Sequence, residues 1–429
     1  MALDRTQTSP RARAPREAAP RWGVRVVHPE AATTWIDLDA DAEWQTLGRG
    51  DGLDHGTVSR AHVSFRRRGL VLEVRDEQSH NGTWLDGARL AEPAFLGNHS
   101  VLRIGDLLAV VEAQEEDGDD VDREAVVGDA PAIKIARRTL TRMAPTRPHV
   151  LLLGETGTGK ERAAAELHRL TGRDPWVTFN CAGLGAQLAD SQLFGHEKGA
   201  FTGAERAHEG LFRRAHGGTL FLDEVAELDA TVQAKLLRVL EAGEVQPLGS
   251  DRLTEVDVRV IAATAPDLTA RVDDGRFRRD LYARLSVASL TLPPLRERRG
   301  DVPAWLARFD ARWAREDGGA PLRWHPEAVE AAMLADWDEN LRGIDRVVYQ
   351  LRLHQGPGAL ISAAHVAPLV GDATPDASHE PPSARPPKPT KEELERALAE
   401  HDGSVRATAR HFQRDRRQIY RWMEAYGLK

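Results

Sequence analysis

The sequence predicts three folded parts in series: an all-β sandwich, an α/β domain built on a parallel sheet, and an all-α C-terminal end. Three observations carry this. Short alternating runs broken by turn residues fill 22–114, continuous apolar runs alternate with helical stretches over 127–370, and capped helical segments occupy 390–429.

Composition sets the limits. At 429 residues there is room for about three domains, each with its own core. A net charge of -8 excludes a uniformly basic nucleic-acid coat while leaving room for local basic patches. The single cysteine, Cys181, rules out a disulfide framework and fits a reducing cytosol. Residues 1–21 are rich in Arg, Ala and Pro without an apolar core, so they read as a disordered tail rather than a signal peptide or anchor. No apolar run is long enough to cross a bilayer, and the 16 histidines form no ligand-spaced cluster.

In the sandwich region, W-G-V-R-V-V, H-V-S-F, L-V-L-E-V and L-L-A-V-V read as strands. The segment 115–126 is so rich in charge that it reads as an unpacked acidic linker. Beyond it, W-V-T-F-N, G-T-L-F-L-D and V-R-V-I-A-A-T suit strands buried on both faces of a parallel sheet. A second linker, rich in Pro, Ala and Ser, covers 371–389. Finally, Thr390 with Glu393, then Ser404, then Asp415 are placed to cap three short helices, a spacing that suits a helix-turn-helix. Residues 404–429 hold seven Lys/Arg against two Asp/Glu, a local +5 within an acidic chain that points to phosphate-backbone contact.

The strongest chemical signal is V-L-L-L-G-E-T-G-T-G-K-E, a strand that breaks into Gly154, Gly157 and Gly159 and opens a helix at Lys160. Glycines let the backbone turn tightly, so that N–H groups across Gly154, Glu155, Thr156, Gly157, Thr158, Gly159, Lys160 and Glu161 can face a phosphate chain; the helix N-terminus adds its own attraction for anions. This is a G-x-x-x-x-G-K cradle for a nucleoside triphosphate. Glu161 stands where a hydroxyl usually follows the lysine, so the Mg²⁺ ligand has to come from elsewhere or from water. Asp223, at the end of G-G-T-L-F-L-D-E, is placed to hold Mg²⁺, and Glu224 to polarise a water for attack on the γ-phosphate.

Residues 199–204, G-A-F-T-G-A, match the signature loop of AAA+ activators of sigma-54 RNA polymerase, and V-R-V-I-A-A-T, F-R-R-D-L-Y-A-R-L and L-P-P-L-R-E-R resemble the same family over 127–370. The resemblance implies a P-loop ATPase with a small helical lid over about 300–370 that works as a homo-oligomeric ring, hexameric by expectation. Gly199, Ala200, Phe201, Thr202, Gly203 and Ala204 would then touch sigma-54, and Asn180 would hold Glu224 until nucleotide is engaged. Arg278 and Arg284 would be arginine fingers reaching the neighbouring subunit, with Arg279 available in a shifted register, and Arg342 would be the lid's sensor arginine. Two departures from the family pattern stand out: Ala265 follows A-A-T where the family has asparagine, and Asp338, Glu339, Gly343 and Ile344 replace Pro-Gly and Glu-Leu around the sensor arginine.

The sandwich resembles a forkhead-associated (FHA) domain through G-R-G, V-S-R-A-H and D-E-Q-S-H-N-G-T-W-L-D-G. Arg49, Ser59, Arg60, Asn81 and Thr83 would bind a phosphothreonine peptide, a dianion that needs charge-assisted donors. The last segment resembles a Fis-type helix-turn-helix, in which Arg414, Arg416, Arg417, Gln418 and Arg421 would face DNA upstream of a promoter. These resemblances together imply a cytoplasmic sigma-54-dependent activator that hydrolyses ATP with Mg²⁺ and takes a signal from a phosphothreonine protein or a Ser/Thr kinase. The alternative, supported by Ala265, is a DNA-bound regulator or phosphothreonine adaptor whose nucleotide site turns over weakly or not at all.

Overall fold

The computed structural model describes residues 21–370 apart from 40–41, 69–70, 98, 119 and 266, and beyond them 389, 391, 394, 396–397, 412, 422–423 and 426. The disordered-tail reading of 1–20 and the second linker up to 388 lie outside the described residues, as do Arg414, Arg416, Arg417, Gln418 and Arg421 and the helical ends around them. Of the last forty residues, Leu394 and Trp422 are buried against each other's surroundings, with the Phe412 ring edge-on to Trp422 at 6.1 Å.

Among the described residues the sandwich has ten strands: β1 (Trp22–His28), β2 (Thr34–Asp37), β3 (Gln45–Leu47), β4 (Val63–Arg68), β5 (Val71–Asp76), β6 (Thr83–Leu85), β7 (Ala88–Arg89), β8 (Ala94–Leu96), β9 (Val101–Ile104) and β10 (Leu107–Ala113). One sheet runs β2-β1-β10-β9-β6-β7 and the other β3-β4-β5-β8, with Val24, Val26, Phe65, Val74, Leu102 and Ile104 among the residues filling the space between them. An antiparallel sheet with one wet face shows apolar-polar alternation. Yet β9 is buried at all four positions and β10 at its first five. The outward-facing Val101, Leu108 and Val110 are covered by a second body, described below.

That body begins with α1 (Pro131–Met143), β11 (Val150–Leu153), α2 (Lys160–Thr171), β12 (Trp176–Asn180), α3 (Ala186–Phe194), α4 (Leu211–Arg214), β13 (Thr219–Asp223) and α5 (Ala230–Ala242). A short hairpin of β14 (Glu244–Val245) and β15 (Thr254–Glu255) leads to β16 (Arg259–Thr264), α6 (Leu268–Asp273), α7 (Arg279–Leu285) and β17 (Ala288–Thr291). The sheet is parallel in the order β12-β13-β16-β11-β17, so β11, β13 and β16 all end at one edge, where the cradle, the carboxylate pair and Ala265 emerge. Ligands in open α/β sheets sit outside such carboxyl ends. α8 (Val302–Asp317), β18 (Arg323–Trp324), α9 (Pro326–Leu334), α10 (Asn340–Gln355), β19 (Leu360–Ile361) and α11 (Ala363–Val370) form the helical lid.

Apolar packing and ion pairs tie the sandwich to the lid. Val27, Val101, Leu108 and Val110 share one apolar cluster with lid residues such as Val302, Trp305, Val329 and Met333. Within that seam the nearly buried Arg103 donates from Nε to Glu330 at 2.7 Å while its guanidinium lies 3.6 Å over the Trp84 ring. Nearby, Arg25 forks onto Glu112 at 2.9 Å and reaches Asp301 at 3.8 Å.

The segment 115–126 corrects the expectation of an unpacked linker. Asp117 accepts two hydrogen bonds from the fully buried Arg137, at 2.7 and 2.8 Å, and Val121 and Val126 sit in the core beneath α1 and α2. Asp122 N–H donates to Glu166 at 2.6 Å, and Arg169 reaches the Asp120 carbonyl. A run of acids packs here because it meets buried arginine and interleaves two valines, neither of which net charge reveals. No helix among the described residues is long and apolar enough to cross a membrane.

Candidate functional site: a nucleotide cleft under the lid

β11 is a four-residue apolar strand flanked by β16 and β17, and its direction carries the chain straight into the cradle. Gly157 and Gly159 take φ of +78° and +104°, values that side chains resist. Gly157 is also pressed from outside, since a Cβ there would run into the Glu339 carbonyl of the lid. α2 then opens at Lys160, whose ammonium is buried and donates to the carbonyls of Gly154 at 2.8 Å and Glu155 at 3.2 Å. Burial lowers the Lys160 pKa, with Glu224 and Asp223 pulling the other way.

The cleft above these residues has a volume of about 240 Å³. Thr156, Gly157, Gly159, Lys160 and Glu161 line its floor, Asp223 and Glu224 one wall, and Trp305, Phe309, Leu341 and Arg342 the lid side. Gly154, Glu155 and Thr158 are not in the lining. The Glu155 carboxylate is committed to Arg296, which holds its pKa below the usual range, and the buried Thr158 hydroxyl donates to the Glu155 carbonyl at 2.8 Å. Their side chains shape the cradle from behind.

β13 delivers the two carboxylates because its first four residues are buried between β12 and β16 and only its end is free. Glu224 takes φ of +51°, and burial raises its pKa against the opposing pull of Lys160. Asn180 lies beside Asp223 in register, but its amide oxygen accepts from Ala182 N–H at 2.8 Å, and no hydrogen bond joins it to Glu224. Between cradle and carboxylates, β16 ends in Thr264, whose buried hydroxyl has no partner, and then Ala265, which offers no polar side chain.

Arg342 is exposed, lines the cleft and, among the described residues, makes no side-chain hydrogen bond or ion pair, which leaves its charge available to an incoming anion. Arg278 and Arg284 lie elsewhere. Arg278 forks onto Asp280 at 2.7 and 3.0 Å, and Arg279 reaches Asp273 at 3.2 Å. Arg284 donates twice to the Leu240 carbonyl and is close enough to help push down the pKa of His149, the residue just before β11. The cradle follows the far end of β11, roughly 13 Å on at about 3.3 Å per residue, so Arg284 sits at the opposite sheet edge from Lys160.

The G-A-F-T-G-A loop folds on itself. Gly199 N–H donates to the Ala204 carbonyl and Ala204 N–H to Phe201, while the Phe201 ring meets the His196 ring edge-on at 4.9 Å and Thr202 is exposed. A Cβ at Gly249, in the β14–β15 hairpin, would press on Ala200. In the sandwich, Arg49 and Arg60 are exposed at loop ends with no side-chain partner among the described residues, and Asn81 donates to the Thr57 carbonyl at 2.7 Å. A Cβ at Gly48 would collide with the Arg60 carbonyl, which is why that turn needs glycine. Ser59 accepts from His80 N–H at 3.1 Å. Thr83 departs from the ligand role given to it: it is fully buried and its hydroxyl donates to Asp76 at 2.7 Å. His62, also fully buried, accepts from Ser59 N–H at 3.0 Å and pairs with the Gly82 carbonyl, so the histidine of V-S-R-A-H braces the site instead of facing a ligand.

Fixed N–H groups, a buried lysine and a pair of carboxylates fit a nucleoside triphosphate with Mg²⁺. Among the described residues no cluster of three or more His, Cys, Asp or Glu could hold a metal, so a Mg²⁺ at Asp223 would be shared with phosphate oxygens. Sequence reasoning missed Trp305, Phe309, Leu341 and Asn340, which reach the cleft or its rim only through the lid's packing. The one available signal was asparagine after the sensor-region acids, a residue that tolerates positive φ.

A parallel-sheet phosphate cradle with a strand-end carboxylate pair and a helical lid defines an AAA+ nucleotide-binding domain, here joined to an antiparallel sandwich. The sigma-54 interaction domain matches residues 126–291, and the FHA domain matches residues 46–105. The chain is 41% identical over 288 residues to the transcriptional regulatory protein ZraR of Klebsiella oxytoca, covering 66% of this chain and 65% of that one. It is 39% identical over 324 residues to the anaerobic nitric oxide reductase transcription regulator NorR of Aeromonas hydrophila, covering 71% and 63%. The crystal structure of NtrX from Brucella abortus in complex with ADP superposes with a TM-score of 0.53 at 31% identity, covering 70% of this chain and 69% of that chain, and NtrX in complex with ATP does equally well. The chain therefore carries an FHA domain ahead of a sigma-54 interaction domain, and over that interaction domain it is similar to these transcriptional regulators. Its match spans about half to two thirds of the length of these curated relatives.

Proposed function

We propose that the chain hydrolyses ATP in a homo-oligomeric ring, hexameric by expectation, to remodel sigma-54 RNA polymerase at promoters in the cytoplasm, under control of phosphothreonine recognition by the FHA domain. The observation that supports this is the pairing of a phosphate cleft that holds a cradle, a carboxylate pair and a lid arginine with Arg284 set at the opposite sheet edge, out of its reach. Lys160 and Arg342 would hold the phosphates, Asp223 would hold Mg²⁺, and Glu224 would orient and deprotonate the attacking water. Bound Mg²⁺ would neutralise charge developing on the phosphoryl oxygens. Arg284, with Arg278 or Arg279, would complete a neighbour's cleft; such an arginine supplies ~10³- to 10⁵-fold in rate, so a lone subunit would be nearly inert.

Asn180 would hold Glu224 until nucleotide is engaged, which requires it to give up its bond to Ala182. Phe201 and Thr202 would meet sigma-54 at the tip of the folded loop. Arg49, Arg60, Ser59 and Asn81 would take the phosphothreonine peptide of a partner protein or Ser/Thr kinase. The seam between sandwich and lid supports regulation, because a ligand at the sandwich loops would load the same body that caps the nucleotide. Residues 390–429 would hold DNA through Arg414, Arg416, Arg417, Gln418 and Arg421.

Lys160→Ala should abolish nucleotide binding, and Glu224→Gln should permit binding but lower turnover by at least 10²-fold, as removal of a general base does. Both should leave DNA retention intact, and promoter melting at the wild-type rate by either variant would contradict the assignment. A second reading, a nucleotide site that only binds, is favoured by Ala265 beside the buried, unpartnered Thr264 hydroxyl. Steady-state phosphate release at high protein concentration separates the two readings.

A further inference from the structure

Asn340 is fully buried, takes φ of +49°, and uses both ends of its amide. Its Oδ1 accepts from Leu295 N–H at 2.8 Å, and its Nδ2 donates to the Thr156 carbonyl at 3.0 Å and approaches the Glu155 carboxylate at 3.3 Å. The next residue continues the grip, since Leu341 N–H donates to the Gly157 carbonyl at 3.1 Å. Two consecutive cradle carbonyls are thus held from outside by the first turn of α10.

A peptide plane has its C=O and its following N–H on opposite sides. Fixing the Thr156 carbonyl outward therefore sets the Gly157 N–H on the other side of that plane, and Gly157 lines the cleft. A loop rich in glycine otherwise samples many orientations, and ordering it falls on the binding step. Asparagine suits the position because it tolerates the left-handed region, and its amide can donate and accept at once. Arg342 stands two residues further along the same helix, so the contact that orders the cradle also sets the height of that arginine above it. Arg296, paired with Glu155, holds the other flank of the loop.

We infer that Asn340 is a positioning residue that preorganises the phosphate cradle and locks the lid arginine to it, a role that rests on the ATPase reading above. Asn340→Asp keeps shape and the acceptor for Leu295 but loses the donor to Thr156. Asn340→Gly keeps the backbone conformation and loses both.

The test uses the full chain. In hydrogen-exchange measurements without nucleotide, Asn340→Asp should lower protection of the amides at 155–160 about tenfold while leaving those of the sheet strands unchanged. Fluorescent ATP and ADP should bind Asn340→Asp about tenfold more weakly, the loss of one buried hydrogen bond, and Asn340→Gly at least as weakly. In a double-mutant cycle with Arg342→Ala, the ATP losses should be smaller than additive. Cradle protection equal to wild type in a folded variant would overturn the inference even if the chain binds no nucleotide. A wild-type chain that binds no ATP would instead contradict the functional reading, and the exchange difference would still decide the role of Asn340. A fall in melting temperature with unchanged cradle protection and unchanged affinity would reduce Asn340 to a structural residue and likewise overturn it.

Discussion

Arg60 and His149 show what a single side chain does here and how to check it. Arg60 is exposed and uncommitted at the end of the sandwich, so its guanidinium is available to a phosphate dianion. Arg60→Ala should weaken a phosphothreonine peptide from roughly micromolar by about 10- to 100-fold, the value of one hydrogen bond to a charged group. Equal binding of phosphorylated and unphosphorylated peptide by the wild type, measured by fluorescence anisotropy, would remove that role. His149 is pushed down to about 4, first by burial and then by Arg284. The unfolded imidazole titrates near 6.5, so the unfolded chain binds the extra proton between these values and stability falls as pH drops through that window. From pH 6.5 to pH 5 this is worth about 2 kcal/mol at about 1.36 kcal/mol per unit. Urea unfolding at pH 7 and pH 5 should show the loss, and His149→Gln should reduce it; an identical pH dependence in the variant would rule the histidine out.

At the scale of elements, the seam of β9 and β10 against α8 and α9 makes its own prediction. Arg103→Ala would leave the Glu330 carboxylate buried without its partner and should cost about 3–5 kcal/mol, whereas Arg103→Met with Glu330→Leu together should come close to wild type. Thermal melts of both variants decide it: no loss in the single variant means the sandwich and lid are not docked in solution. This seam was the least legible part of the fold in the sequence. L-L-A-V-V reads correctly as a strand, but nothing in it says that both faces are covered. The cradle was legible because a local string dictates it: glycines for the turn, lysine at the helix start, carboxylates at a strand end. Asn340 was not, because its value lies in carbonyls some 180 residues away, and Thr83 was misread because a motif position does not say whether its hydroxyl faces a ligand or Asp76. The acidic segment 115–126 was misread for a related reason, since composition counted its charges and missed Arg137.

At the scale of the whole molecule, the separation of cleft and arginines is the feature that gives the assembly its logic. One sheet edge carries a cradle, a carboxylate pair and a free lid arginine; the other carries Arg284 beside the start of β11. Completing the site in trans would require subunits to stack edge to edge, which would make turnover a property of the proposed ring. The sandwich packs on the lid of the same subunit, so a phosphopeptide bound to it, as proposed, would have a packed route to the body that caps the nucleotide. Phosphate release per subunit, followed across a wide range of protein concentration with Arg284→Ala alongside, tests this most directly. The account predicts turnover that rises steeply with concentration in the wild type and stays at least ~10³-fold lower in Arg284→Ala at every concentration. Turnover per subunit that is independent of concentration, or unaffected by loss of Arg284, would contradict it.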